Sequence, residues 1–308
     1  MVVFDPVPST VTFHDTATGA AVELGPSALA NALPGGRWFA LDLDTGRATT
    51  GGANGADVST DLQALGGDEW TVWSMTHSGD RVVALLRGAG PEEGAVDRSM
   101  VLVFDVDTAE VVQDIRPPDG VTHTAALPFV DDGVLLADYQ YRWTVVDAAG
   151  GVVDGPRVHG TGQEVAAVDH EGGRYVTADW NGDLHVVDPA RDVVVDLPGP
   201  ASFAMDVAFA GGDRLVSRHV DGSTYLWDVP AGRQVGRLWR SPPFGFFAMG
   251  VDRQDDVLVQ LTPTGIARIP LDPDEWFRTV CGRVDRALTA AEIAAIAPGL
   301  DPGPGCAG

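Results

Sequence analysis

A short unit recurs along this chain: one or two small or acidic residues, then an apolar run. It stands at Gly35-Gly36-Arg37-Trp38-Phe39, Gly79-Asp80-Arg81-Val82-Val83, Asp132-Gly133-Val134-Leu135-Leu136, Gly172-Gly173-Arg174-Tyr175-Val176, Gly212-Asp213-Arg214-Leu215-Val216 and Asp255-Asp256-Val257-Leu258-Val259. The runs start at residues 37, 81, 134, 174, 214 and 257, at intervals of 44, 53, 40, 40 and 43. A near-constant period leaves few folds open, because each period must be one supersecondary unit that buries its apolar faces against its neighbours. Inside a period the pattern is one of strands and tight turns. Arg214–Val220 reads as a half-buried strand, Asp221-Gly222 as a two-residue turn matched to strand twist, and Ser223–Asp228 as the return strand. Four antiparallel strands in about 40 residues make one blade of a β-propeller.

Val2–Val22 aligns without a gap on Leu215–Val235, matching Val7 to Val220, Asp15 to Asp228, Gly19 to Gly232 and Val22 to Val235. This is a seventh copy, starting at the second strand of a blade. The 53-residue interval holds an insertion, Gly88–Ser99, read as an exposed loop. The period over Leu24–Leu65 has a polar, glycine-rich stretch at Thr49–Thr60, so a ragged outer strand is expected there. Alternation is incomplete in Val134–Asp138 and Val193–Leu197, as in strands covered on both faces.

Each return strand ends on an acid, at Phe104-Asp105, Val146-Asp147, Val187-Asp188 and Trp227-Asp228. These endings resemble the Trp-Asp dipeptide of WD-repeat proteins, a resemblance that runs along nearly the whole chain and implies a propeller of seven blades. The literal dipeptide stands only at Trp227-Asp228. Where that family has Gly-His before the first strand, this chain has Gly162-Gln163 and Gly199-Pro200, so the family's buried histidine network is not carried over.

After Leu271 the pattern changes period. Asp272-Pro273-Asp274-Glu275 has an aspartate N-cap, proline at the first helical position and glutamate three residues after the cap. Trp276, Phe277, Val280, Cys281 and Val284 share one helix face, and Thr289 with Glu292 forms a second capping box before Pro298-Gly299. The expected division is a propeller over 1–271 and a helical cap over 272–308. This tail resembles the end of WD-repeat regions found behind bacterial signalling modules such as STAND-type ATPases. The matching residues are Trp276, Cys281, Arg286, Leu288, Thr289, Pro298, Gly299 and Cys306, with Ala287 in place of an asparagine and Ile293 in place of an aromatic residue. The resemblance implies a sensing or docking module, attached to a larger protein or free-standing.

The formal charge is -24, from 44 acidic and 20 basic residues, and every basic residue is arginine. Such a carboxylate excess repels nucleic-acid phosphates and anionic lipid, so neither is expected as a partner. The absence of lysine removes Schiff-base chemistry and Walker-type phosphate binding. The first residues, Met1-Val-Val-Phe-Asp5, have no basic leader, and no uncharged apolar run of 18 residues occurs, so a cytoplasmic chain without a membrane span is expected. Cys281 and Cys306 read as free thiols or as one tail-closing disulfide.

Catalytic patterns are missing. His170-Glu171 lacks the second histidine of a zinc-protease helix, since Arg174 stands there. The other histidines, at 14, 77, 123, 159, 185 and 219, have no ligand spacing, although His185 and His219 lie on strands of neighbouring blades and could meet. There is no Gly-x-Ser-x-Gly elbow, and Asp131-Asp132 and Asp255-Asp256 read as turn formers and edge charges rather than calcium ligands. The expectation is therefore a non-catalytic scaffold or sensor, a monomer with no cofactor and no metal, that binds a protein. The alternative is a small-molecule-binding or enzymatic propeller of quinoprotein-like or lyase/hydrolase type, for which Trp38–Arg47 resembles a quinoprotein repeat.

In a propeller the loops joining second to third strands share a face with the loops between blades. By the strand assignment this face carries Tyr139, Tyr141, Arg142, Trp180, Asn181, Trp239, Arg240, Phe244 and Phe246. Aromatic residues with arginine are the composition of interface hot spots, so these nine form the expected partner-binding face.

Overall fold

The computed structural model of the chain describes residues 2–3, 11–14, 21–24, 28–33, 37–43, 45–52, 57–62, 70–88, 98–116, 123–138, 142–153, 165–169, 171–211, 213–241, 249–252, 256–262, 265–272, 274–276, 278, 289 and 291–292. These residues form strands almost throughout. The strands are β1 (Val2–Val3), β2 (Val11–His14), β3 (Ala21–Leu24), β4 (Ala28–Leu33), β5 (Arg37–Asp42), β6 (Arg47–Gly52), β7 (Val58–Asp61), β8 (Trp70–Ser78), β9 (Arg81–Gly88), β10 (Arg98–Asp105), β11 (Val111–Ile115), β12 (His123–Pro128) and β13 (Val134–Asp138). They continue as β14 (Trp143–Val146), β15 (Val152–Val153), β16 (Val165–Asp169), β17 (Arg174–Ala178), β18 (Leu184–Asp188), β19 (Val193–Leu197), β20 (Ala204–Phe209), β21 (Arg214–His219), β22 (Ser223–Asp228), β23 (Arg233–Arg240), β24 (Met249–Asp252), β25 (Val257–Thr262) and β26 (Gly265–Pro270).

All pair antiparallel with their sequence neighbours in seven sheets: β1–β3, β4–β7, β8–β11, β12–β15, β16–β19, β20–β23 and β24–β26. Repeated meanders of this kind are propeller blades, and the chain is an all-β, seven-bladed, WD-repeat-like propeller. The chain falls into two compact units, residues 1–155 with 170–173 and residues 156–169 with 174–308.

The recurrent turn-and-apolar unit marks the second strand of each sheet: β5, β9, β13, β17, β21 and β25 start at residues 37, 81, 134, 174, 214 and 257. These strands are the most deeply buried. Phe39, Leu41, Val82, Ala84, Leu85, Leu135, Val176, Leu215 and Val216 are at or near zero exposure because apolar side chains on both strand faces meet a neighbouring sheet.

Five expectations change. The sheet over residues 28–61 is complete, with Val58–Asp61 pairing Arg47–Thr50 as its outer strand. The insertion is shorter than expected, since Gly88 ends β9 and Arg98 and Ser99 begin β10 in paired register. Val193–Leu197 is not covered on both faces: it is an outermost strand, with Val193 exposed and Leu197 buried. The turn at Asp221-Gly222 takes in Val220 as well, because β21 ends at His219 and the Gly222 N–H donates to the His219 carbonyl (2.9 Å). Gly222 there has φ of 84°, a conformation glycine adopts at little cost. Fifth, a buried histidine network is present after all, at a different place in the blade, as described below.

The acids and arginines of the repeat have a common use. Arg81 Nη1 bonds Asp105 of its own sheet (2.9 Å) and its Nε reaches Asp132 at the first turn of the next sheet (3.1 Å). In the second unit Arg174 bonds Asp169 (2.7 Å) and, across to the next sheet, Asp213 (2.6 Å). Arg214 repeats the step, its Nη2 lying 2.9 and 2.8 Å from the two Asp256 oxygens while Nη1 donates to the Leu271 carbonyl (2.7 Å). Asp132, Asp213 and Asp256 have φ of 58°, 51° and 51°, in the left-handed region that aspartate tolerates better than most residues. The acid thus forms the turn and also receives the clasp from the preceding sheet.

Return-strand acids cap the next turn. Asp105 Oδ1 accepts the Asp107 and Thr108 N–H groups (2.9 and 3.0 Å), Asp147 Oδ1 those of Ala149 and Gly151 (2.9 and 2.8 Å), and Asp228 Oδ1 that of Ala231 (3.0 Å). Burial works to raise the Asp105 pKa, but the hydrogen bonds from Thr108 and Asp107 and the Arg81 charge hold it below the usual carboxylate value.

Beyond β26 the helical start forms as its cap predicts. Asp272 Oδ1 accepts the Asp274 N–H (3.0 Å), residues 274–276 are helical, and the Trp276 indole donates to the Pro270 carbonyl (2.6 Å) while packing on a core that includes Leu271 and Leu258. Thr289 and Glu292 make the reciprocal capping box, with Thr289 N–H to Glu292 Oε2 at 2.9 Å and Glu292 N–H to Thr289 Oγ1 at 3.3 Å. Cys281 and Cys306 lie outside the described residues.

Candidate functional site

The second unit presents a surface built on two neighbouring sheets, β16–β19 and β20–β23. Its first part is the turn Asp179–Asp183, which joins β17 to β18 as the second-to-third strand connection of its sheet. Asp179 Oδ1 accepts the N–H groups of Asn181 and Asp183 (2.9 and 3.0 Å), and Gly182, with φ of 85°, donates its N–H to the Asp179 carbonyl (3.0 Å). The connector from β19 to β20 lies against it. A Cβ at Gly182 would strike the Ser202 carbonyl oxygen and a Cβ at Gly199 would strike the Gly182 carbonyl oxygen, so backbone meets backbone with no room for a methyl group. Gly199 N–H donates to Asp183 Oδ1 (2.6 Å), which ties the two segments together.

This clamp holds out Trp180, which is 57% exposed, with the ring of Phe203 edge-on to it at 6.4 Å and 74°. Asn181 beside it is exposed. On β23, Trp239 stands opposite Thr224 and Arg240 opposite Ser223, and both are at the surface, Trp239 at 37%. Ser241 N–H donates to the Gly222 carbonyl (2.8 Å), which pins the end of β23 to the Val220–Gly222 turn. In that turn burial works to raise the Asp221 pKa. The hydroxyl and N–H of Ser223, with the Arg240 charge, bring it below its ordinary value. The Trp180 turn and the Val220–Gly222 turn are therefore the same second-to-third strand connection in adjacent sheets.

Beneath this surface runs a directional hydrogen-bond chain. His219 Nδ1 donates to the Ser202 carbonyl (2.7 Å), which leaves Nε2 as the acceptor for the Ser217 hydroxyl (2.8 Å), and Ser217 Oγ in turn accepts the Trp227 indole N–H (2.8 Å). All three side chains are at 1% exposure or less. Burial lowers the His219 pKa, opposed by the Ser202 carbonyl and the Asp221 charge, so the neutral ring the chain requires is also the one its surroundings favour. The histidine comes from the end of the second strand instead of the loop before the first, which is why the absence of Gly-His did not exclude a network. His219 packs edge-on against Tyr225 (5.5 Å), and His185 bonds Asp196 (2.7 Å).

The opposite face of β20–β22 carries a second polar group at the seam with β24–β26. Asp206 accepts the Met249 N–H and lies 3.9 Å from Arg218, and burial outweighs that cation, pushing the carboxyl up to about 6. Thr224 and Gln260 are fully buried there, 3.5 Å apart through Oγ1 and Oε1.

Of the nine expected site residues, Trp180, Asn181, Trp239 and Arg240 belong to this surface. Arg142 lies in the first unit on the β13–β14 turn, with N–H and Nε bonded to the Asp138 carboxylate (3.0 and 2.6 Å) and its side chain 67% exposed. Tyr139, Tyr141, Phe244 and Phe246 lie outside the described residues. Phe203 was missed, because it directly precedes an apolar strand and reads as part of it. Among the described residues no three His, Cys, Asp or Glu side chains are grouped to hold a metal ion, and no helix is long and apolar enough to cross a membrane.

No protein-family model matches the chain, and none of the curated proteins matches it. Among solved structures 1077 chains match, too many for the likeness to select one activity. One comes from the crystal structure of a mitotic checkpoint complex and superposes with a TM-score of 0.56 at 10% identity, over 84% of this chain and 80% of that chain. At that identity the likeness speaks for architecture alone: the chain has the fold of a WD-repeat-like β-propeller.

Proposed function

We propose that the chain is a non-catalytic docking module that binds a protein partner through the loops of the Trp180 surface. Trp180, Asn181, Trp239 and Arg240 carry the contact together with Phe203. One observation supports this most: the Asp179–Asp183 turn is locked by a backbone crossing that tolerates only glycine, yet the lock holds a tryptophan in water. Rigid exposed aromatics are the anchors of protein interfaces, since they bind without a large loss of side-chain entropy. The matched solved chain, taken from a complex, is in keeping with a docking role. The narrower reading, a sensor arm like those of bacterial STAND-type proteins, rests on the sequence resemblance of the tail, in which Trp276 and Thr289 are two of the matching residues.

The test is affinity capture from native lysate with wild type and with the Trp180→Ala, Trp239→Ala double variant. Loss of most specifically captured protein, with an unchanged melting temperature, is expected. Undiminished capture by the folded double variant overturns the proposal.

A further inference from the structure

The outer strand of the sheet β20–β23 differs from its counterparts in charge. The outer strands of the other complete sheets, β7, β11, β15 and β19, hold no arginine, and their charged residues are Asp61, Asp114 and Asp196. By contrast β23 carries Arg233, Arg237 and Arg240 and no acid. It lies in the longest acid-free run of the sequence, from Val229 to Val251, in a chain whose formal charge is -24. Charges on an outer strand keep its edge from pairing with other chains, but either sign serves that end, and elsewhere in this chain aspartate serves it.

Two of the three arginines share one face because of a β-bulge. Residues three apart on a regular strand point to opposite faces. The pairing of β22 with β23 slips between Thr224 and Tyr225, so Leu238 is an extra residue, and Arg237 and Arg240 stand opposite Tyr225 and Ser223, which share a face. The two arginines are thereby set about 7 Å apart along the strand, the rise of two residues. Leu238 itself packs on the core of Leu226 and Leu258. The arginine face is the one turned toward β16–β19, since Tyr225 packs on the core that Trp227 shares with Leu184 and Leu197.

Both side chains are exposed and unengaged. Among the described residues every other arginine has a partner, as Arg37 has Asp107, Arg191 has Asp188 and Arg214 has Asp256, whereas Arg237 and Arg240 form no hydrogen bond and no ion pair. Asp221, whose charge interacts with that of Arg240, has its carboxylate bonded to the Ser223 hydroxyl and N–H. An external anion fits the two free guanidiniums. A single compact anion would need their forks to converge, whereas arginines set two residues' rise apart match carboxylates at alternate positions of an extended segment, whose pitch is the same. We propose that the Arg237–Arg240 face of β23 docks an extended acidic segment of the protein partner, with alternate aspartate or glutamate side chains on the two guanidiniums. This inference rests on the docking role proposed above and names the chemistry of the partner. The acids of the rest of the chain repel such a segment, which restricts it to this strand.

The experiment is fluorescence anisotropy of the purified chain at low salt with three labelled peptides of equal length. The first has four glutamates at every second position among threonines, the second has them at every third, and the third is the first with glutamine in place of glutamate. Saturable 1:1 binding of the first is expected, at least about fivefold tighter than that of the second or third, with about a tenfold loss in the Arg237→Gln, Arg240→Gln double variant, the scale of two exposed ion pairs. Both side chains are unbonded, so the double variant should keep the wild-type melting temperature, and the comparison of spacings on wild type needs no variant. Lysate capture separates this inference from the docking role on which it rests. Capture lost in Trp180→Ala, Trp239→Ala but kept in Arg237→Gln, Arg240→Gln leaves the docking role standing and overturns the acidic segment. No saturable binding, equal affinity for the two spacings, or unchanged affinity in the folded double variant would each overturn it as well.

Discussion

Thr177 and Ser217 hold the same place in adjacent sheets, each on the second strand and at zero exposure, yet their hydroxyls are in opposite situations. Ser217 links Trp227 to His219, whereas Thr177 Oγ1 has no hydrogen-bond partner among the described residues, since Val187 and Asp179 stand where Trp227 and His219 stand in the next sheet. A buried hydroxyl left unbonded costs about 1–3 kcal/mol, so its removal should be favourable and removal of a bonded one should not. Thr177→Val, which keeps the shape, is expected to stabilise the chain by about 1 kcal/mol. Ser217→Ala, which strands both the indole N–H and the imidazole nitrogen, is expected to destabilise it by about 1–3 kcal/mol. Urea denaturation of the two variants beside wild type checks the signs, and a destabilised Thr177→Val contradicts the assignment of Thr177 as unbonded. None of this was readable from the repeat. Sequence shows Thr177 and Ser217 as equivalent small polar residues on one strand face, and only the cross-strand neighbour, ten residues on in each sheet, decides which of them is satisfied.

Sheets, rather than single strands, are the elements of this fold, and the seam between β20–β23 and β24–β26 holds a buried carboxyl whose pKa is raised. Asp206 accepts the Met249 N–H across that seam and faces Arg218, while burial raises its pKa to about 6 from an ordinary 3.8. With the folded-state pKa above the unfolded one, the carboxyl's contribution to stability is fully present below pH 3.8 and is lost as pH rises through about 6. Asp206→Asn cannot titrate, so its stability relative to wild type should rise as pH climbs from 4 to 7, on top of a constant offset from the lost attraction to Arg218. Unfolding midpoints at pH 4, 5, 6 and 7 test this, and a wild-type-minus-variant difference independent of pH excludes Asp206 as the titrating group. At this scale the second strands were legible, because a glycine or aspartate turn followed by a doubly covered apolar run is a strong local signal. The outer strands were not: Val152–Val153 and Val58–Asp61 are short and exposed, and sheet pairing rather than local pattern makes them strands. The candidate sites divide in the same way. Trp180 stands at a turn that the repeat locates, whereas Trp239 lies on the outer strand β23, the shared face of Arg237 and Arg240 depends on a one-residue bulge, and the Arg–Asp clasps join residues 39 to 51 positions apart.

Across the whole molecule the dominant electrostatic fact is the excess of 44 acidic over 20 basic residues. Two salt effects oppose each other. The Arg–Asp clasps between sheets are partly exposed attractions that salt weakens, each worth no more than about 1 kcal/mol. Against them stands the mutual repulsion of 24 uncompensated charges, which salt relieves and which eases when the chain unfolds and the charges separate. The clasps involve single close contacts, such as the 3.1 Å Arg81–Asp132 pair, and screening acts least at short range. Repulsion among scattered carboxylates acts over tens of ångströms, where a Debye length falling from about 30 Å at 0.01 M to about 10 Å at 0.1 M matters most. Repulsion should therefore control the sign: the melting temperature at pH 7.5 is expected to rise between 0.01 and 0.1 M NaCl, with most of the gain in that range rather than above it. A thermal-melting series in NaCl, repeated in tetramethylammonium chloride to separate screening from specific sodium binding, measures it. The same rise in both salts identifies screening, whereas a fall in melting temperature would mean that the clasps, not the net charge, set the electrostatic stability of the propeller.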